Sequence, residues 1–291
     1  MILIDYSQVA LANILSFKHE LKNDDAKSIK NLIRHTVLST LKYYKKRYGA
    51  EYGEMVIAAD GRHYWRRDEF KFYKAHRKKA REESDLDWQL IFDTLSEIRD
   101  DLVAHFPYKV IHLDKAEADD VIGVLVKYTN DFGNHEQNMI ISSDKDFKQL
   151  QVYGNVKQFS PMQKKSVVLK QSEYNTFLIE HIVRGDSGDG IPNILSPDDI
   201  IMDETARQRP ITQKVLQRFF DKGRDGCETE EERRCWDRNE QLVDLNKIPE
   251  NIQNEILEQY LNNKPKGDKM SVYNYLIANR CNLLLNEVEE F

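Results

Sequence analysis

The sequence predicts an α/β protein: a central, mainly parallel sheet flanked by helices, followed by a smaller, mainly helical C-terminal domain. Three observations carry that expectation. Short apolar, β-prone runs alternate with longer stretches of helical periodicity through the first half of the chain. Acidic residues recur where those short runs end. After residue 150 the texture changes to a hairpin-like segment, a Gly-rich loop and then charged helical patterns.

The strands are expected at 1–4, 55–59, 108–113 and 138–142, each short and rich in Val, Ile, Leu or Met, as suits a strand covered on both faces. Helices are expected at 27–48, where Ile29, Ile33, Val37 and Leu41 recur every four residues, at 86–105, and at 117–128 with Val121, Val124 and Leu125 on one face. Alternation of this kind implies parallel strands joined by right-handed crossovers. The interval from Asp60 to about Ser84 is too long and too charged for an ordinary connection and reads as a functional excursion from the sheet edge. Further on, 156–159 and 166–169 suit a hairpin, and a helix near 172–184 leads into RGDSGDGIPN. Helical pattern resumes at 252–261 and 273–285. The division expected is 1–195 as a catalytic domain, including a basic region at 62–84 and the Gly-rich loop 185–192, and 196–291 as the helical domain.

Composition narrows the class. With 291 residues, 40 % hydrophobic and 10 % aromatic, the chain is neither disordered nor low in complexity. No apolar run approaches the roughly 18 residues that a spanning helix needs, and MILIDYSQ lacks the build of a signal peptide. Cys227, Cys235 and Cys281 form no CxxC pair, so neither a disulfide framework nor a zinc site is expected, and a reducing cytoplasm is the predicted setting. The net charge of −6 is unevenly spread: 62–81 holds nine Lys and Arg against Asp68 and Glu69. Arg66, Arg67, Lys71, Lys78, Lys79 and Arg81 are therefore candidate nucleic-acid contacts, with Tyr64, Trp65, Phe70, Phe72 and Tyr73 interleaved as rings that could stack on bases. A solvated helix whose rings pack on a core is the alternative. Lys164, Lys165 and Lys170 offer a second, weaker basic surface.

The chemistry lies in the carboxylates. Asp5, Asp60 and Asp144 follow three predicted strands, Asp146 comes two residues later, and Glu117, Asp119 and Asp120 open the helix after the fourth. In an open parallel sheet these positions share the carboxyl edge, where ligands bind. Asp186 and Asp189 in the Gly-rich loop could join them. A lone strand-end Asp is more often a helix cap, and Asp114 suits that role. So many acids side by side repel unless a cation compensates them. All-oxygen donors without a His cluster suit Mg²⁺ or Mn²⁺, and two such ions could activate water for phosphoryl transfer. GxxxxGK[ST] and GxGxxG are absent, which excludes a P-loop and disfavours dinucleotide binding. His63 and His76 are more readily phosphate or solvent contacts than catalysts, and the cysteines lack a base partner.

LIDYSQ at Asp5, YWRR after Asp60, YKAHRKKAREE, DKAEADD, SSDKDFKQL and GDSGDGIP occur in that order. Over about the first 195 residues the chain thereby resembles the 5′-nuclease (flap endonuclease) superfamily, in particular its T-even-phage ribonuclease H branch, whose ending NEVEEF also matches. The resemblance implies a PIN-like core and a Mg²⁺-dependent 5′→3′ exonuclease that also cuts 5′ flaps and forks. Its substrates would be RNA–DNA and DNA duplexes, and its task the removal of RNA primers in lagging-strand replication. It assigns Asp5, Asp60, Glu117, Asp119, Asp120 and Asp144 to the metal site, and Asp146, Asp186 and Asp189 to a second ion, directly or through water. Tyr73, Lys74 and Arg77 match the arch residues at the scissile phosphate, with Arg81 assisting. A single-stranded-DNA-binding protein and other replisome proteins are implied partners, the chain acting as a monomer in a host-cell cytoplasm. One departure stands out: Gly188 and Gly190 replace the family's Ser and Asn, and no GxGxK hairpin follows, which puts a K⁺ site and the usual duplex grip in question. Rival readings are a PIN-like RNA endonuclease, for which the chain is long, and a non-catalytic structure-selective DNA binder, which would gain nothing from repelling acids. A small-molecule phosphatase would leave the basic segment unexplained.

Overall fold

The computed structural model describes residues 1–131, 135–203 and 205–291. In chain order its main elements are β1 (Ile2–Asp5), α1 (Tyr6–Ile14), α2 (Lys18–Asn23), α3 (Ala26–Tyr52), β2 (Met55–Ala59), α4 (Trp65–Glu69), α5 (His76–Glu82), α6 (Trp88–His105), β3 (Lys109–His112), α7 (Ala118–Asp131), β4 (Asn138–Ile141), β5 (Val156–Ser160) and β6 (Lys165–Val167). There follow α8 (Tyr174–Arg184), α9 (Gln213–Lys222), α10 (Glu230–Val243), α11 (Glu250–Asn262) and α12 (Lys269–Ala278). Contacts divide the chain into two units: one of residues 1–62, 85–168 and 251–291, the other of 63–84 and 169–250. Among the described residues no helix is long and apolar enough to cross a membrane.

The first unit holds a six-stranded sheet in the order β3-β2-β1-β4-β5-β6, parallel except for the β5–β6 hairpin. All four expected parallel strands form, and β1 and β4, buried along their whole length, lie centrally as their continuous apolar runs demand. α3 runs longer than the spacing predicts: Asp25 caps its first turn through the amides of Lys27 and Ser28, and Gly53, at φ 76°, ends it. Its buried stripe, Ile29, Ile33, Val37 and Leu41, faces the core expected of it. α6 is capped by Asp87, which accepts from the Leu90 amide at 2.9 Å.

The C-terminal elements complete this core. Phe106 meets Tyr275 at 5.2 Å and the final residue, Phe291, at 5.5 Å, both ring edge to ring face, and Lys42 pairs with Glu287. The helix expected over 273–285 ends at Ala278 instead. Arg280 adopts φ 57°, and the Cys281 amide turns back to the Leu276 carbonyl at 2.8 Å, closing the helix with an αL turn before a 3₁₀ segment resumes at Asn282. α11 covers the sheet edge at β3. Gln259 accepts from the His112 amide at 2.8 Å and donates to its carbonyl at 3.2 Å, and Asn263 donates to the Val110 carbonyl at 2.8 Å. Side-chain amides thus stand in for a seventh strand.

The second unit has its own core, in which Phe70, Tyr73, Ile182, Val183, Leu216, Phe219 and Trp236 are buried. Phe219 and Trp236 stack at 5.3 Å. The excursion after Asp60 forms two short helices, α4 and α5. Here the structure corrects the stacking expectation: Trp65, Phe70 and Tyr73 are buried in the unit, and Tyr64 and Phe72 pack against its core. Burial of ring area outweighs exposure to solvent when a core is at hand. Replacing Gln259 with Leu should leave the β3 edge amide without its partner and lower stability by about 1–2 kcal/mol in urea denaturation, whereas Glu255→Gln, on the same helix, should change it little.

Candidate metal centre and basic loop

In the first unit, strand pairing sets the spacing of the acids. Asp5 is the last residue of β1 and lies opposite Ala58 of β2, so Asp60 follows just beyond. Ile4 pairs with Ile141 of β4, which brings Ser142 beside Asp5. The Ser142 hydroxyl donates to Asp5 Oδ2 at 2.7 Å and accepts from the Asp144 amide at 3.1 Å. Asp144 Oδ1 in turn accepts from the Asp146 amide at 2.9 Å. Buried Gln158 holds the same turn by donating to the carbonyls of Ser142 and Asp144, at 3.0 and 2.6 Å.

On the other side of β1, Asp60 Oδ1 accepts from the Ala118 amide at the start of α7, at 2.9 Å. Gly61 permits that approach: its amide donates to the Ala116 carbonyl, and a Cβ there would lie 2.1 Å from the Leu113 carbonyl oxygen. Asp120 Oδ2 accepts from the Glu117 amide at 2.9 Å, and both residues are essentially buried, with Asp119 half-buried beside them. The seven acids predicted for this edge, Asp5, Asp60, Glu117, Asp119, Asp120, Asp144 and Asp146, thus follow the carboxyl ends of its strands, and Asp114 lies exposed. The electrostatic consequence is plain at Asp5. Burial, and then the neighbouring charges of Asp60 and Asp144, push its carboxyl up to about 7, against the lowering influence of the Ser142 hydroxyl. A carboxylate so disfavoured calls for a compensating cation.

In the second unit the Gly-rich loop is built by backbone. Asp186 and Ile191 exchange both amide bonds, at 2.8 and 2.7 Å, and Asp186 Oδ1 accepts from the amides of Gly188 and Asp189 at 2.8 and 3.3 Å. Gly185, at φ 65°, ends α8 where a Cβ would meet the Ile191 and Pro192 carbonyls at 2.4 and 2.5 Å. From α10, buried Asn239 donates to the carbonyls of Ile182 and Pro192, at 2.7 and 2.9 Å, and Arg238 also donates to that of Pro192.

The loop is bound to the basic segment of its own unit. Asp189 accepts from the Tyr73 hydroxyl at 3.1 Å and pairs with Lys74 at 3.5 Å and Arg77 at 2.5 Å. The Lys74 amide donates to the Asp189 carbonyl at 2.7 Å, with Lys74 itself at φ 54°. Gly190 makes that fit possible, since a Cβ there would lie 2.7 Å from the Phe72 carbonyl oxygen. Tyr73, Lys74, Arg77 and Asp189 therefore form one set, three arch residues and an acid that sequence reading had assigned to the metal alone. Arg67, Lys71, Lys78, Lys79 and Arg81 are exposed or half-exposed, but Arg66 is only 2 % exposed. Its Nε donates to the Leu242 carbonyl at 2.8 Å and its guanidinium stacks on Trp65, which takes it off the surface a strand could touch. His181, which sequence reading passed over, is buried with Nε2 3.4 Å from Asp186 Oδ2. The signal was available only in its position one helical turn before the Gly-rich loop.

Comparison with known proteins fits this arrangement. The family model described as "5′-3′ exonuclease, N-terminal resolvase-like domain" matches residues 1–177, and that described as "T4 RNase H, C terminal" matches 163–291. The chain is 35 % identical over 299 residues to the ribonuclease H of Enterobacteria phage T4, covering 99 % of this chain and 95 % of that protein. It belongs to the 5′-nuclease family. The fold of this 5′-nuclease is also similar to that of a T5 5′-exonuclease with bound divalent metal ions (zinc), at TM-score 0.59 and 19 % identity over 90 % of this chain and 98 % of the other. The T5 D15 flap endonuclease, in a pseudo-enzyme–product complex with DNA and metal ions, gives TM-score 0.62 and 18 % identity over 89 % and 97 %. The family models and the T4 relative make the chain a nuclease of this family, and the T5 structures share its fold.

Asp5 yields a test with a definite sign. Its carboxyl binds its proton more tightly folded than unfolded, so its contribution to the stability of the metal-free nuclease should fall as pH rises from about 4 to about 7 and stay low above that. In EDTA the Tm of wild type relative to that of Asp5→Asn should show this fall, and Mg²⁺ should raise the wild-type Tm more at pH about 8 than at about 5.

Proposed function

We propose that this nuclease is a Mg²⁺-dependent 5′→3′ exonuclease and 5′-flap endonuclease on RNA–DNA and DNA duplexes, removing RNA primers during lagging-strand replication. The observation that carries the reading is the gathering of Asp5, Asp60 and Asp144 at one sheet edge, with Asp5 pushed up to about 7 by burial and by the other two. The core is PIN-like, and residues 1–195, with the arch at 62–84 and the loop 185–192, carry the catalysis, while 196–291 support it. In the proposed assignment Asp5, Asp60, Glu117, Asp119, Asp120 and Asp144 hold one of two Mg²⁺ ions, for which Mn²⁺ substitutes, and Asp146, Asp186 and Asp189 serve the second. Bound there, the ions supply Lewis acidity and an activated water for attack on the phosphodiester.

The chain's own residues do the rest. Ser142, Gln158 and the Ala118 amide orient the carboxylates before any ion arrives, so that little reorganisation is needed on binding. Lys74 and Arg77 neutralise charge that develops on the scissile phosphate. Asp189, itself fixed by the Tyr73 hydroxyl, holds those two cations in place, which is the second task the geometry gives it. Arg67, Lys71, Lys78, Lys79 and Arg81 bind the 5′ strand through its phosphates. Forked and flapped DNA, a single-stranded-DNA-binding protein and other replisome proteins are the proposed partners of a monomer working in the host-cell cytoplasm.

A 5′-labelled RNA–DNA hybrid bearing a short 5′ flap, incubated with Mg²⁺ or EDTA, tests the reading. Short 5′-derived products that need Mg²⁺ and vanish in Asp144→Asn, with duplex binding kept within a few fold, are expected; wild-type turnover by that variant would overturn the assignment. Lys74→Ala should lower turnover far more than affinity. Because Asp189 acts partly through Lys74, Asp189→Ala should cost clearly less in a Lys74→Ala background than alone, and full additivity would make Asp189 a metal ligand only.

A further inference from the structure

The proposed function leaves one feature of the first unit unused. A cleft of about 500 Å³ opens between the second half of α3 and the β5–β6 turn, lined among others by Thr40, Tyr43, Arg47, Phe159, Pro161 and Lys164. That volume accommodates a mononucleotide-sized ligand. None of its described lining residues is acidic, in a chain of net charge −6.

Arg47 is held by rings rather than by a counter-charge. Its guanidinium lies 4.7 Å from the Phe159 centroid and 5.1 Å from that of Tyr48, and it donates to the Tyr43 hydroxyl at 2.6 Å. No acidic side chain pairs with it among the described residues. Such stacking fixes the planar donor fork without neutralising it, which suits phosphate. The second cation, Lys164, sits at the turn with φ 52°, a conformation that costs a lysine what a glycine or asparagine would avoid. The Tyr43 ring is 49 % exposed although its hydroxyl is engaged. The wall formed by the turn is continuous with the carboxyl edge: the Ser160 hydroxyl and the Met162 amide both donate to the Ser143 hydroxyl, at 2.8 and 3.1 Å, and Ser143 precedes Asp144.

We propose that this cleft binds one nucleotide unit of a nucleic-acid strand, with its base against Tyr43 and its phosphate between Arg47 and Lys164. The inference rests on the nuclease reading for its ligand, and names a contact separate from the basic segment at 62–84. Lys164, noted in the sequence only as part of a weak basic surface, gains a specific task.

The test is anisotropy of a labelled thymidine dodecamer with the full chain in EDTA, at KCl concentrations spanning the physiological range. Tyr43→Ala should weaken binding about tenfold. Lys164→Gln and Arg47→Gln should each weaken it, and together flatten the dependence of log affinity on log salt by about 0.7, one phosphate contact fewer. Tyr43 and Lys164 are exposed, so both of those variants should fold, as circular dichroism would verify. Wild-type affinity and slope in all three variants would overturn the proposal. So would calorimetric binding of thymidine monophosphate that depends on Tyr43 while dodecamer binding does not, since the cleft would then serve a free nucleotide. Flap cleavage in Mg²⁺ separates the two readings: in Tyr43→Ala, KM should rise by more than kcat falls. Failure of the wild-type chain to cut, with cleft-dependent binding intact, would overturn the function and leave the cleft.

Discussion

Mutual repulsion among carboxylates at the carboxyl edge of one parallel sheet is the constraint on which the rest of this molecule depends. β1 carries Asp5 at the centre of the sheet, between β2 and β4. Parallel pairing brings the next acids to the same edge, and burial denies them the water that would let them ionise cheaply. An apolar sheet interior thus ends abruptly in a site that the fold alone does not favour. Local conflict of this kind is what functional sites show when the surrounding structure is otherwise self-consistent.

The manner in which the acids are held resolves an opposition that sequence reading posed. A strand-end Asp was either a helix cap or a metal ligand. Here Asp5 accepts from the Gln8 amide, Asp60 from Ala118, Asp120 from Glu117 and Asp144 from Asp146. Each of these carboxylates does a cap's work, and that work is also what orients it. A side chain tied through one oxygen to a nearby amide loses its freedom before an ion arrives, so the entropy of ordering it is met in folding rather than in binding. The two roles are therefore compatible at every one of these positions.

Much of this was legible in sequence because it is local or periodic. Four strands announced themselves as apolar runs, and α3 through a four-residue repeat. The acids could be placed on one edge because parallel topology follows from alternation. What was not legible depends on distant partners. The rings among the basic residues looked available for bases, but Phe70 and Tyr73 found a core supplied by residues more than a hundred positions away. Arg66 was counted with its neighbours, yet a carbonyl from Leu242 and the Trp65 ring hold it inside. No spacing rule reveals such a partner. The end of α12 escaped for a different reason: its closing αL residue is Arg280 rather than the glycine that signals a stop.

The departure from the family in the Gly-rich loop can be argued further from the same geometry. Relatives by resemblance place a basic hairpin after this loop, whereas here Arg238 and Asn239 of α10 clamp the Pro192 carbonyl and Asp198 pairs with Arg234 and Arg238. Arg234 and Arg238 are thus spent on internal acceptors. Charge for a nucleic-acid backbone must then come from elsewhere on the chain. In the segment 62–84, Lys74 and Arg77 are themselves held by Asp189, whose carboxylate keeps two like charges close at the cost of lowering their net field. One acid thus ties the Gly-rich loop to both cations of the basic segment. Gly190, at φ 76°, is what lets the loop backbone lie against that segment, since a Cβ there would stand 2.7 Å from the Phe72 carbonyl oxygen.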